Sequence, residues 1–154
     1  MGIKIMKKNS GFTMVEVLIV AGILGFSITG MILLFNYTNV TTELAAKKSW
    51  AVNNAQNKIE EMRNYTYDQI ATDYGTDPGN KFSISSINGM GRIYIDSSNA
   101  ELLTVDVVVC WLDKYSRVVG EDTNRNGQLD AGEDTDGDGL IDSTVHLTTM
   151  ITRR

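Results

Sequence analysis

Gly11-Phe12-Thr13-Met14-Val15-Glu16-Val17-Leu18-Ile19-Val20 opens an apolar segment that reaches Phe35 and holds a single charge, Glu16. From Val17 to Phe35 there is none. At about 1.5 Å of rise per residue, a helix of that length crosses a hydrocarbon core. Upstream stand Lys4, Lys7 and Lys8, with no acidic residue among them. That asymmetry holds the amino terminus on the cytoplasmic side and sends the remainder across. Glu16 is out of place here, because a carboxylate inside a membrane helix costs about 2.5–3.5 kcal/mol on insertion scales and needs a partner. Nothing basic lies within reach on this helix. A cut after Gly11 would create a partner. The freed amine of Phe12 would lie one helical turn from Glu16, about 6 Å along the axis, and could pair with it or with the Glu16 of a neighbour.

A lysine-bearing leader, a glycine, then Phe12-Thr13-Met14-Val15-Glu16 heading an apolar helix resembles the type IV prepilin signal. This is the family of pilins and of the pseudopilins of type II secretion, and the resemblance covers residues 4–35. It implies cleavage between Gly11 and Phe12 by a prepilin peptidase/methylase, N-methylation of Phe12, and assembly through Glu16 and the apolar helix with other pilin or pseudopilin subunits. A secretory signal has its apolar region before the cut and small residues at the cut. Here the charged region abuts the glycine instead. A plain signal anchor accounts for the helix but not for Glu16.

The chain has 154 residues and a formal net charge of −5. Losing the three leader lysines leaves 11 basic against 19 acidic side chains, a sum of −8. Nucleic acid binding needs a basic face, and this balance argues against it. About 90 residues follow the long helix, which suits one small domain. Cys110 is the only cysteine, so the chain closes no internal disulfide of its own. Three parts are expected: a leader at 1–11, a membrane and assembly half of the helix at 12–35, and a soluble head at 36–154.

Beyond Asn36 the composition turns polar, yet Tyr37, Val40, Leu44, Ala51, Ala55, Ile59 and Met62 recur at helical spacing. One helix is expected from about Phe12 to about Tyr65, with Trp50 off the main stripe at the edge of the head. Residues 55–63, with Ala55-Gln56, Glu60 and Met62, resemble the helix end of minor pilins and minor pseudopilins. Residues 73–80 read as a loop by their breakers. Short strands are expected around Phe82, Ile84 and Ile87 and at Arg92–Asp96, with a turn at 97–99. Leu102–Leu112 is the clearest strand. Leu103, Val105, Val107, Val109 and Trp111 share the core face, and Thr104, Asp106 and a half-buried Cys110 the other. Residues 113–116 turn into a strand at 117–119, and a last strand runs over 144–152. The sum is an α+β fold, a long helix across an antiparallel sheet of about four strands; the resemblance implies the same pilin-like layout.

Residues 122–133 read Asp-Thr-Asn-Arg-Asn-Gly-Gln-Leu-Asp-Ala-Gly-Glu. This fits the twelve-residue calcium loop. Asp122, Asn124 and Asn126 stand at positions 1, 3 and 5, and Gly127 makes the sharp turn at 6. Gln128 offers its carbonyl at 7, Leu129 points inward, Asp130 stands at 9, and Glu133 supplies the bidentate acid at 12. Directly after it Asp134, Asp136, Asp138, Gly139, Leu140, Ile141 and Asp142 repeat the pattern, but position 12 is Val145. This second loop is expected to bind calcium more weakly or to share ligands with the first. A full EF-hand is not expected, because residues 115–119 read as strand. The only histidine, His146, falls on the polar face of the last strand, and no nucleophile motif accompanies it. The chain therefore reads as a structural subunit and not an enzyme: a minor pilin or minor pseudopilin of the inner membrane with its head in the periplasm, stabilised by calcium. The alternative is a membrane-anchored calcium-dependent binding or adhesion module outside any filament.

Overall fold

The computed structural model describes residues 11–153. The chain divides at Val40/Thr41 into two units. Helix α1, Met14–Met62, belongs to the first unit as far as Val40 and to the second from Thr41 onward.

Within the first unit the helix is exposed on every side, Phe26 and Phe35 included. It is long and apolar enough to cross a membrane. Its hydroxyls bond back one turn: Ser27 Oγ donates to the Ile23 carbonyl at 2.7 Å and Thr29 Oγ1 to the Gly25 carbonyl at 2.9 Å. That pairing lets them sit in hydrocarbon without an unsatisfied donor. The helix expected from about Phe12 to about Tyr65 is present as Met14–Met62; Gly11, Phe12 and Thr13 precede it, and Thr13 Oγ1 accepts the Glu16 N–H at 3.3 Å. Thr13 and Glu16 have the spacing of a capping box, and the Thr13 bond to the Glu16 N–H is one half of it.

In the second unit α1 buries Ala51, Ala55, Ile59 and Met62, four of the stripe residues expected from the sequence. Two alanines at full burial let backbone and sheet side chains approach closely. Trp50, placed by the sequence at the edge of the head, is instead 55% exposed. Also unanticipated is α2, Tyr67–Asp73, which splits off where the sequence suggested the long helix ending near Tyr65. Thr66 starts it with a reciprocal capping box to Gln69, and Ile70 anchors it in the core.

Among the described residues the sheet has five strands: β1 Lys81–Ile84, β2 Gly89–Asn99, β3 Leu102–Leu112, β4 Val118–Val119 and β5 His146–Thr152. All pairings are antiparallel, in the order β1-β2-β3, with β4 and β5 sharing the far side of β3. Ile87, expected in a strand, lies in a 3-10 turn over Ser85–Ile87 and is still buried. The expected turn at 97–99 is the end of β2, where the register to β3 shifts between Asp96 and Asn99. Gly91 in β2 is dictated by packing, since a Cβ there would fall 2.2 Å from the Phe82 ring. Leu103, Val105, Val107, Val109 and Trp111 of β3 join the α1 and α2 residues in the main core. Cys110, expected to be half-buried, is 1% exposed, because a second cluster with Val108 and Ile141 covers that face.

Candidate assembly helix and acidic loops

Gly11 and Phe12 stand exposed and non-helical just ahead of α1, the conformation in which a peptide bond is open to a protease. The rest of the expected leader lies outside the described residues. Helical geometry begins at Met14, two residues after Phe12. Glu16 falls in the first turn of α1, where a negative charge meets the positive end of the helix dipole.

The acidic segment leaves β4 through Gly120, whose φ of +110° suits glycine. Asp122 is 1% exposed and accepts the Asn126 and Gly127 N–H groups at 3.0 and 2.8 Å. Asn124 Oδ1 accepts from Asn126 N at 2.9 Å and Asn126 Oδ1 from Gln128 N at 2.7 Å. Asp130 Oδ2 accepts the amide groups of Asn124 and Asn126 at 2.6 and 2.8 Å. Gln128 sends its side-chain amide to Asp77 at 3.1 Å. Glu133 closes the ring: Oε1 accepts from Thr123 N at 2.8 Å, from Asn124 N and from the Thr123 hydroxyl, and Oε2 from Asp130 N at 3.1 Å. These bonds, the Thr123 hydroxyl first, outweigh burial and lower its pKa. Leu129 turns inward and packs on the Val108–Cys110 cluster.

Residues 134–142 repeat this wiring. Asp134 Oδ2 accepts from Gly139 N at 3.1 Å, Asp136 Oδ1 from Asp138 N at 3.3 Å, and Asp138 Oδ1 from Leu140 N at 2.7 Å. In the first loop the twelfth residue, Glu133, accepts from the N–H groups of residues 2 and 9. Residues 2 and 9 of the second loop are Thr135 and Asp142. Their N–H groups go to Glu121, at 2.9 and 3.0 Å. Glu121 thus takes the place that Val145 leaves empty of an acid. Sequence reasoning missed it because it read each loop forward only. The available signal was spacing: Glu121 precedes the first loop as Glu133 precedes the second, twelve residues apart.

Carboxylate oxygens of Glu121, Asp134 and Asp136 all lie within 4.8 Å of one another, and so do those of Asp136, Asp138 and Asp142. Burial, then repulsion from Asp138, Asp136 and Glu121, raises the Asp142 pKa. The backbone N–H groups of Thr135 and Asp142 hold that of Glu121 down. The donors are hard oxygens, the set a calcium ion takes. His146, expected on the polar face, is there: Nε2 lies 3.1 Å from Asp106 Oδ1 and Nδ1 3.8 Å from Asp142 Oδ1.

A family model described as the prokaryotic N-terminal methylation motif matches residues 6–32. The match supports a type IV prepilin-like amino terminus, and the head behind it has a pilin-like α+β layout. No curated protein and no solved structure matches the chain.

Proposed function

We propose that the chain is a minor pilin or minor pseudopilin. It is cut between Gly11 and Phe12, N-methylated on Phe12 by a prepilin peptidase/methylase, and assembled through α1 into a type IV pilus or secretion pseudopilus. The inner membrane holds α1 before assembly, and the head lies in the periplasm. The observation that carries this reading is the methylation motif over residues 6–32 heading a membrane-length apolar helix. Its family is structural, not enzymatic. Calcium in the acidic loops stabilises the head, with Asp122, Asn124, Asn126, Gln128, Asp130 and Glu133 holding the first ion. Glu121, Asp134, Asp136, Asp138, Leu140 and Asp142 hold the second. Bound there, the cation replaces repulsion among eight acids between 121 and 142 with coordination.

Intact-mass measurement on protein extracted from membranes tests the processing. The expected mass is that of a chain beginning at Phe12 with one added methyl group. A retained leader would favour the anchored calcium-dependent module, which the paired acidic loops also suit. Glu16→Ala tests assembly. It removes the carboxylate but keeps the N–H that Thr13 accepts, and insertion becomes cheaper. The variant should reach the membrane normally and be absent from sheared filaments; equal incorporation would refute the role of Glu16.

A further inference from the structure

We infer that the segment from Gly120 to Ser143 is a cation-latched cover over the second face of the sheet, so that ion loading decides whether the head is closed on that side. The inference rests on the calcium reading above. Along β3 the face turned away from α1 changes character. Thr104 and Asp106 are half-exposed, whereas Val108 and Cys110 are 1% exposed. What buries the latter two is the acidic segment itself, through Ile141 and Leu129, with Tyr94 and Val118 at the sides.

The cover is seated at named points. Ile141 N–H donates to the Tyr94 hydroxyl at 2.7 Å, and Arg92 Nη1 donates to the Gly127 carbonyl at 2.8 Å. Glu121 N–H donates to the Asp142 carbonyl at 2.9 Å, which ties the two ends of the segment together. Where the chain passes over the thiol, a Cβ on Gly120 would stand 2.4 Å from Cys110 Sγ. Closure is therefore tight. Its own driving force is small, since Leu140 remains 37% exposed and the inward apolar side chains are Ile141 and Leu129. Two such side chains do not offset the ordering of so long a segment, and its acids repel one another. With the cations the cover closes; without them it lifts and leaves Val108, Cys110, Tyr94 and Val118 facing solvent.

Cys110 reports the state directly. Full-length protein in detergent micelles is labelled with N-ethylmaleimide in chelator and in calcium, and bound calcium is counted by native mass spectrometry in the same samples. At calcium ten times the dissociation constant, opening falls by about tenfold for each ion bound and labelling slows with it. Amide protection along β2 and β3 stays as it was. Ile141→Ala, which removes no ligand oxygen, should label faster than wild type in calcium. Bound calcium with an unchanged Cys110 rate, or an Ile141→Ala rate equal to wild type, overturns the cover and leaves the calcium reading standing. Absence of bound calcium overturns both. Loss of protection throughout β2 and β3 on chelation also overturns it, because the whole head would then be opening.

Discussion

At the residue scale the turn between β3 and β4 depends on one carboxylate. Asp113 is 6% exposed. Its Oδ1 accepts the Tyr115 and Arg117 N–H groups at 2.7 and 2.9 Å, and its Oδ2 accepts Arg117 Nε at 2.9 Å. Burial pushes the Asp113 pKa upward, but the bonds from Arg117 and Tyr115 outweigh it and the net shift is downward. A depressed carboxylate stabilises the fold above its unfolded pKa of about 3.9 and loses that contribution as pH falls through the lower folded value. Asp113→Asn should therefore melt below wild type at pH 7, and the gap should narrow below about pH 4. Paired thermal melts at the two pH values check it; a gap that persists undiminished at acid pH would place the effect in shape rather than charge.

At the scale of elements, α1 meets the core through two alanines, Ala51 and Ala55, followed by two large side chains, Ile59 and Met62. Ala55 is fully buried against the core that holds Val105 and Val107, while Gln56 beside it is exposed. Ala55→Leu should cost about 1–3 kcal/mol by overpacking, and Gln56→Leu should stay within about 0.5 kcal/mol of wild type. Thermal melting of both variants decides, and a neutral Ala55→Leu would mean the helix can shift on the sheet. This face was legible in the sequence because helix and strand periods are strict: Ala51, Ala55, Ile59 and Met62 on one side, and the odd residues of β3 on the other. Helix α2 was not legible, because no glycine or proline interrupts the chain between α1 and α2. The break is made by local capping at Thr66. The second core was hidden for a different reason. Leu129 and the Leu140-Ile141 pair are the few apolar residues among the acids there, with no period to announce a buried face.

At the scale of the whole molecule, the acidity has a definite address. Eight acids and one base, Arg125, lie between Glu121 and Asp142, in a stretch joining β4 to β5. The first loop is drawn around Asp122 and Glu133, both nearly fully buried, and the second around carboxylates that converge from Glu121 to Asp142. Because Glu121 and Glu133 play the same part in successive loops, each should matter for a different ion. Extracellular calcium modules bind at about 10⁻⁴–10⁻³ M. At tenfold excess over the dissociation constant, one ion adds about 1.4 kcal/mol, or about 3–6 °C in melting temperature for a chain of this size. Magnesium should add far less, because it demands a tight octahedron. Wild-type protein should bind two calcium ions by native mass spectrometry, and Glu121→Ala and Glu133→Ala one each. In Glu121→Ala the remaining ion should be lost on further substitution of Asp122; in Glu133→Ala, on substitution of Asp138. Identical melting of the wild type in chelator and in millimolar calcium would remove the cation from the account altogether. Two ions retained in Glu121→Ala would show that the second loop closes without it.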